Sequence, residues 1–498
     1  VLTFVFMANY FTCRSSSDFT TARQHGGAIP LRWILILFIS PIFAQSDDCV
    51  YQFITLERPA HLKAFLNTEV LNQKESFRII HFGDSHIQGD RITGEIRTQL
   101  REIQPIVSSG IIFPYSLCGS VGPRGTQNKV TGSFTYASQL KNPTGKPIGL
   151  MGYELSLKKN ASLSLQFTEN FTGVKSKTIS LWVQSDSDTT HLAMDSTFSL
   201  VQRLKINDNV YWYTFESLMV PSVISFKALV PLSFWGMEFE LKNGIIYQQS
   251  GVVGAQFTHL IQHQTSVIAQ LKSLKPDLLF FSYGTNEAYS SQDSNAYEQQ
   301  VVAFLSALRT SLPSTGIVVF NAPDTRSNGR TPKNQTPINH ALQRSASRVE
   351  VSFFDLHASM GGWGSLYDWN KKGRVLNDLL HFNQAGASLL GKLMAQGMFD
   401  ACALDERINQ KLKESIIKEL CIQPKPEINS LDSLPPPEPN NVKPKPTPPK
   451  PKTRVYIVKS GDSLYKIAAK TGRTVQQLKT MNRIGSNNII RPGQKIYY

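Results

Sequence analysis

Cysteine is scarce: the 498 residues hold five, at positions 13, 49, 118, 402 and 421. None stands in CxxC or other zinc-ligand spacing, so the chain carries no zinc-ribbon or dithiol-exchange signature. Setting the N-terminal region aside leaves four, which allow three pairings. Cys402 and Cys421 flank a charged helical stretch and are one candidate staple; unpaired, buried thiols are the alternative. A long apolar run is missing where one is wanted for a membrane span. The segment Trp33–Ile39, with Arg32 before it and Pro41 and Ala44-Gln45 after it, is too short to cross a bilayer comfortably. Residues 1–44 therefore read as a signal-peptide region, with a retained anchor as the alternative. The body also lacks a charge excess. Of the formal +15, +10 falls in residues 423–498 and +2 in residues 1–44, leaving about +3 for residues 45–422. That argues against a nucleic-acid-binding main domain and suits a basic tail meeting an anionic surface such as a cell envelope.

What is present is enough apolar material for packed domains: 41% of the residues are hydrophobic, and the length implies two or three cores. Residues 78–81 read as a short buried strand running into Gly83-Asp84-Ser85, after which Ile87, Ile92, Ile96, Leu100 and Ile103 fall at helical spacing. Between 125 and 250 the pattern changes to short alternating runs, such as Ser162–Phe167 and Thr178–Val183, the mark of an all-β sandwich. Strands and helices then alternate again: a helix near 255–273, a strand at 278–281, a helix near 295–311, strands at 317–320 and near 350–354, and a helix over 384–398. The expectation is a β domain inserted into an α/β domain with a parallel sheet. Eleven prolines among lysines in 424–451 make an extended spacer before a compact unit at 454–498.

Three short constellations carry chemistry. Gly83-Asp84-Ser85-His86 sits at a strand-to-helix junction, where a serine projects its hydroxyl from a tight turn; the plain alternative is an ordinary helix N-cap. Asp378-Leu379-Leu380-His381 can supply an imidazole base and the carboxylate that fixes its tautomer from one loop. Ser282-Tyr283-Gly284-Thr285-Asn286-Glu287 follows an apolar strand, where α/β sheets place ligands, and the Asn286 amide suits oxyanion stabilisation; a turn-forming Asn is the bland reading. His259 and His263 stand four apart on an expected helix, but no acid or third ligand is near in sequence, and no metal is expected. Trp363, Tyr367 and Trp369 suit stacking on sugar rings or packing in a core equally well. His86, next to Ser85, reads as a structural or substrate-contact residue.

In order and context these blocks resemble the SGNH (GDSL-type) hydrolase superfamily. The resemblance implies a flavodoxin-like three-layer α/β fold that cleaves esters through an acyl-enzyme without a cofactor. It implies Ser85 as nucleophile, Asn286 as an oxyanion donor, His381 as base and Asp378 as its orienting acid. A glycine amide from the second block is matched best by Gly251-Val252-Val253-Gly254, with Gly254 preferred over Gly251 and with Gly110 and Gly119 as weaker candidates. A β-sandwich between the first and second blocks, together with Gly83-Asp84-Ser85-His86-Ile87-Gln88-Gly89-Asp90, is similar to bacterial peptidoglycan O-acetylesterases, whose insert resembles a carbohydrate-binding module.

The terminal unit, from Tyr456-Ile457-Val458-Lys459-Ser460-Gly461-Asp462 to Ile490-Arg491-Pro492-Gly493-Gln494, looks like a LysM domain of βααβ form. This implies binding to N-acetylglucosamine-containing glycan in a groove between the Gly461–Leu464 turn and the Asn488–Arg491 loop. The sequence thus predicts a signal region at 1–44, a hydrolase domain in two parts at 45–124 and 251–422, an inserted β-sandwich at 125–250, a linker at 423–453 and a LysM domain at 454–498. The expected function is an exported O-acetylesterase acting on peptidoglycan. The alternatives are a xylan-type acetylesterase or O-acetyltransferase on the same fold, and a non-catalytic wall-binding protein.

Overall fold

The computed structural model describes residues 51–421 except 123–124, 143–144, 146, 168–175, 207–208, 220–221 and 328–330. Nearer the C-terminus it describes residues 455–458, 462, 464–471, 475–482, 484 and 493–497. The expected signal region, Cys13, Cys49 and the linker lie outside the described residues. The chain divides into two units, Val1–Pro424 and Lys425–Tyr498.

The first unit is built on a six-stranded parallel sheet. Across it run Ser352–Phe354, Gly316–Phe320, Leu278–Ser282, Ser76–Gly83, Gly244–Gly251 and the two-residue edge strand Val107–Ser108. Without the edge strand, the chain order 2-1-3-4-5 is flavodoxin-like. The strands Leu278–Ser282 and Gly316–Phe320 are apolar on both sides because helices cover both faces. Ile79, Leu278, Phe280 and Val318 turn to one core, shared with helices Arg91–Arg101, Gln384–Cys402 and Glu406–Cys421. Their neighbours Ile80, Phe82, Leu279, Phe281 and Val319 turn to the other, shared with Phe257–Gln262, Gln264–Leu274, Ser294–Ser311 and Gln335–Val349. The period-2 side-chain alternation of each strand thus makes the three layers.

Between the first strand and its partner at 244–251, the chain forms two antiparallel sheets. Six strands order as Phe134–Ser138, Tyr153–Leu157, Leu232–Phe239, Thr178–Gln184, Val210–Ser217 and Phe198–Lys205; four order as Thr126–Thr131, Ser162–Phe167, Val223–Ala228 and Leu192–Met194. Alternate residues such as Leu163, Leu165, Ile224 and Phe226 are buried, as the sequence pattern requires. The stretch expected as insert, 125–250, is too long at its end. Gly244–Gly251 pairs residue by residue with Ser76–Gly83 and belongs to the parallel sheet. Its polar run hid it. Gln248 and Gln249 are buried, and their amides find partners in Met151 Sδ at 3.4 Å and the Tyr115 hydroxyl at 3.3 Å.

Two expected helices are each two. The one after Ser85 breaks at Gly89-Asp90 into Ser85–Gln88 and Arg91–Arg101, because Asp90 takes φ 56° and pairs with Arg97 at 2.5 Å. The one near 255–273 breaks at His263. His259 is not poised for a metal: its Nδ1 accepts the Gln256 amide at 2.9 Å and caps the first short helix. The staple between Cys402 and Cys421 is not made. Cys402 is a free, buried thiol, as is Cys118, whereas Cys421 is in a disulfide. Among the described residues no helix is long and apolar enough to cross a membrane.

The second unit pairs Val455–Ile457 with Lys495–Tyr497 antiparallel and places helices Leu464–Thr471 and Val475–Asn482 between them, the βααβ order expected. Val458, Leu464, Ile467, Leu478 and Ile496 form its core. Asn482 ties the second helix to the last strand, accepting the Tyr497 amide at 2.6 Å and donating to the Tyr497 carbonyl at 2.8 Å. The groove residues Gly461 and Asn488–Arg491 lie outside the described residues.

Candidate active site

The C-terminal ends of three neighbouring parallel strands carry the site. Ser76–Gly83 ends in the turn that presents Ser85. Asp84 caps the short helix Ser85–Gln88, accepting the His86 amide at 2.8 Å, so Ser85 opens that helix and its own N–H has no intrahelical acceptor. The N-cap and the hydroxyl-bearing residue are thus different residues, and Asp-Ser serves both purposes. Gly251 lies across the turn with its Cα so close that a Cβ would stand 2.2 Å from the Gln88 nitrogen and 2.7 Å from the Asp84 carbonyl. Only glycine fits there, so Gly251 sets the approach of the second segment. Gly254 follows in a turn closed by Ala255 N–H to Val252 C=O at 3.0 Å, with φ +78°. Among the described residues its amide has no acceptor.

His381 comes from a loop whose stem is the antiparallel bridge Val375–Phe382. Leu379 sits at φ 56°, a costly conformation for a branched residue, held by Leu379 N–H to Leu376 C=O at 2.9 Å and by the Arg326 amide on the Leu379 carbonyl at 2.8 Å. That bend returns the chain so that Asp378 and His381 face each other. His381 Nδ1 donates to Asp378 Oδ2 at 2.7 Å, and Asp378 Oδ1 accepts the amides of Leu380 and His381 at 2.9 and 3.0 Å. Partial burial pushes the Asp378 carboxyl up, but the hydrogen bonds from His381 and from the two amides outweigh it and hold the group below its usual value. With Nδ1 committed as donor, the neutral imidazole leaves Nε2 as acceptor, and Ser85 Oγ donates to it at 2.9 Å.

A second Asp–His pair lies beside the first. His86 Nδ1 meets Asp84 Oδ1 at 2.9 Å and its Nε2 meets the Leu380 carbonyl at 3.1 Å. Both partners are acceptors, so both ring nitrogens carry protons and the ring is an imidazolium. Burial alone would lower its pKa; the Asp84 charge, the hydrogen bonds to Asp84 and Leu380 and the Asp378 charge raise it on balance. Asp84 is correspondingly held low, since its contacts with His86 and Thr285 outweigh burial. This pair clamps the His381 loop to the Ser85 turn. The sequence showed His86 but not this bridge, because its far partner is a backbone carbonyl 294 residues away.

Asn286 lies on the short helix Thr285–Ala288. Its side-chain amide donates to the Ala255 carbonyl at 2.8 Å, which seats it against the Gly254 turn, and that turn is bound to the Ser85 segment through Val252 N–H to Gly83 C=O at 3.0 Å. One amide N–H of Asn286 is spent in this way, and its second remains. The residue after it was missed. Glu287 is wholly buried and accepts from the Phe257 amide at 2.7 Å, the Gly284 amide at 3.1 Å and the Tyr297 hydroxyl at 3.2 Å. Burial raises its pKa to about 7 against these hydrogen bonds. It ties the Asn286 turn to the helix that follows Gly254. Of the predicted residues, the structure brings Ser85, His381 and Asp378 into one hydrogen-bonded row and sets Asn286 against the Gly254 turn. Gly110 stands apart, packed on Gln248.

Residues 235–389 match the GDSL-like Lipase/Acylhydrolase family, and residues 456–497 match the LysM domain. A solved peptidoglycan O-acetylesterase superposes with a TM-score of 0.57 at 21% identity, over 69% of this chain and 96% of that one, and shares the fold. A probable endopeptidase p60 of Listeria grayi is 55% identical over 40 residues, which is 8% of this chain and only 8% of that protein. The chain therefore carries a GDSL-like acylhydrolase domain, an esterase scaffold, joined to a C-terminal LysM domain.

Proposed function

We propose that this protein is an exported serine esterase that removes O-acetyl groups from peptidoglycan and is held on the wall by its LysM domain. The observation that carries the reading is the row Asp378–His381–Ser85, with links of 2.7 and 2.9 Å. His381 takes the Ser85 proton as Ser85 Oγ attacks the acetyl carbonyl carbon. The amides of Ser85 and Gly254 and the remaining Asn286 N–H receive the oxyanion, and losing one such donor costs about 3 kcal/mol of barrier. His381 then protonates the departing sugar oxygen, leaving an acetyl ester on Ser85. Water, deprotonated by His381, attacks that ester; His381 returns the proton to Ser85 Oγ as the acyl bond breaks and acetate leaves. No step calls for a metal.

The LysM domain favours N-acetylglucosamine-containing wall polymer over plant xylan, and export places the enzyme in the periplasm or cell envelope. The test measures acetate release from O-acetylated peptidoglycan and from acetylated xylan, with Ser85→Ala as control. Release from peptidoglycan that is abolished in Ser85→Ala is expected. Preference for xylan contradicts the substrate, and undiminished release by Ser85→Ala contradicts the mechanism. Acetyl transfer to an added glycan in place of free acetate indicates the transferase alternative. A chain ending near residue 422 is expected to lose wall binding while still turning over small esters.

A further inference from the structure

Beside the Ser85 row, a loop displays two large aromatic rings to solvent. Trp363 is 49% and Tyr367 48% exposed, whereas Trp369 is 3% exposed and donates its indole N–H to the Met360 carbonyl at 3.0 Å. Of the three aromatics that precede Asp378, one is core and two are presented.

The presentation is built from below. Buried Asp324 accepts the amides of Gly364 and Leu366 on Oδ2 at 2.9 and 3.1 Å. Gly361, Gly362 and Gly364, at φ 112°, 72° and 87°, turn the chain in ways open to few other residues, so that Trp363 stands outward. Buried Arg326 pairs with Asp324 at 3.7 Å and lies 5.1 Å from the Tyr367 ring and 5.9 Å from the Trp363 ring. One cation thus holds both rings.

This loop is close to the chemistry. The Arg326 backbone amide donates to the carbonyl of Leu379, the residue after Asp378. On the other flank Tyr289, three residues past Asn286 and 37% exposed, donates to Thr325 Oγ1 at 3.4 Å. Thr325 and Arg326 thus join the Tyr289 end of the Asn286 helix, the Leu379 bend and the two exposed rings. Rigid, solvent-facing rings at the edge of an ester-cleaving site suit a ligand with one apolar face and a hydroxylated edge. A pyranose ring has that form.

We propose that Trp363 and Tyr367, held by Arg326, form a stacking subsite for a sugar ring of the glycan strand adjoining the acetylated residue. The inference rests on the reading of the site as a glycan deacetylase. In the full chain, Trp363→Ala/Tyr367→Ala and the conservative Trp363→Phe are compared with the unaltered protein. Substrates are O-acetylated peptidoglycan fragments, acetylated xylan and p-nitrophenyl acetate, and the quantity read is the ratio of glycan to small-ester kcat/KM.

The double variant is expected to lower that ratio about tenfold, equivalent to about 1.4 kcal/mol, through a higher KM, with Trp363→Phe restoring most of it. An unchanged ratio overturns the subsite. If the unaltered enzyme takes only xylan, the peptidoglycan reading fails while the xylan ratio still judges the subsite. Turnover of p-nitrophenyl acetate alone, with neither glycan accepted, overturns both.

Discussion

Two aspartate–histidine pairs stand within one site, and their difference lies in exposure. Asp84 and His86, 2.9 Å apart, have side chains 3% and 8% exposed; Asp378 and His381, 2.7 Å apart, have side chains 48% and 34% exposed. The buried pair has both imidazole nitrogens tied, one to the carboxylate and one to the Leu380 carbonyl, and so has no lone pair for chemistry. The exposed pair keeps Nε2 for Ser85 and remains open to solvent, as the proposed mechanism requires. The same two residue types make a clamp where both nitrogens are consumed and, in the proposed mechanism, a base where one is left. Rings 5.5 Å apart illustrate both.

The largest effect should come from the exposed pair. His381→Gln removes the proton acceptor and is expected to lower kcat by about ten-thousandfold, read as acetate release. Asp378→Asn, which leaves the loop amides bonded but frees the tautomer, should cost roughly a thousandfold; its half-exposed position lets water replace part of what the carboxylate does.

The buried pair should act mainly on stability. His86→Leu leaves the Asp84 carboxylate buried without its cation and should destabilise the first unit by about 3–5 kcal/mol, measured by denaturant unfolding. The pH dependence has a definite sign. His86 has its folded-state pKa raised above 6.5, so its contribution is fully present below pH 6.5 and is lost as pH rises through the folded value. Asp84, held low, contributes above 3.8 and loses its contribution as pH falls through its folded value. Melting temperature should therefore fall on the alkaline side, and His86→Gln should flatten that limb.

The smallest effect on rate is at Glu287. Its pKa is raised from 4.5 to about 7, so stability declines as pH rises between those values. Glu287→Gln should remove that slope, seen in thermal melts at pH 5 and pH 7, with a rate change of a few fold through the seating of Asn286.

Much of this was legible in the sequence. The strands at 278–282 and 316–320 read as apolar runs because both faces are covered, and Ser85, Asn286, Asp378 and His381 each fell at the end of such a run or in the loop before a capped helix. What was hidden depended on distant partners. Gly244–Gly251 read as the end of the inserted β domain, and only its pairing with Ser76–Gly83, with Gln248 and Gln249 meeting Met151 and Tyr115, puts it in the parallel sheet. The break at Asp90 follows from its ion pair with Arg97. The left-handed Leu379 that turns Asp378 toward His381 is held from Arg326, 53 residues upstream, and no local pattern encodes it.

The measurement that tests the division of labour most directly is acetate release by His381→Gln and His86→Gln at one pH, both shown to be folded by circular dichroism. A base and a clamp predict a loss of about ten-thousandfold for the first and no more than about a hundredfold for the second. Equal losses, or a larger loss at His86, would contradict the account.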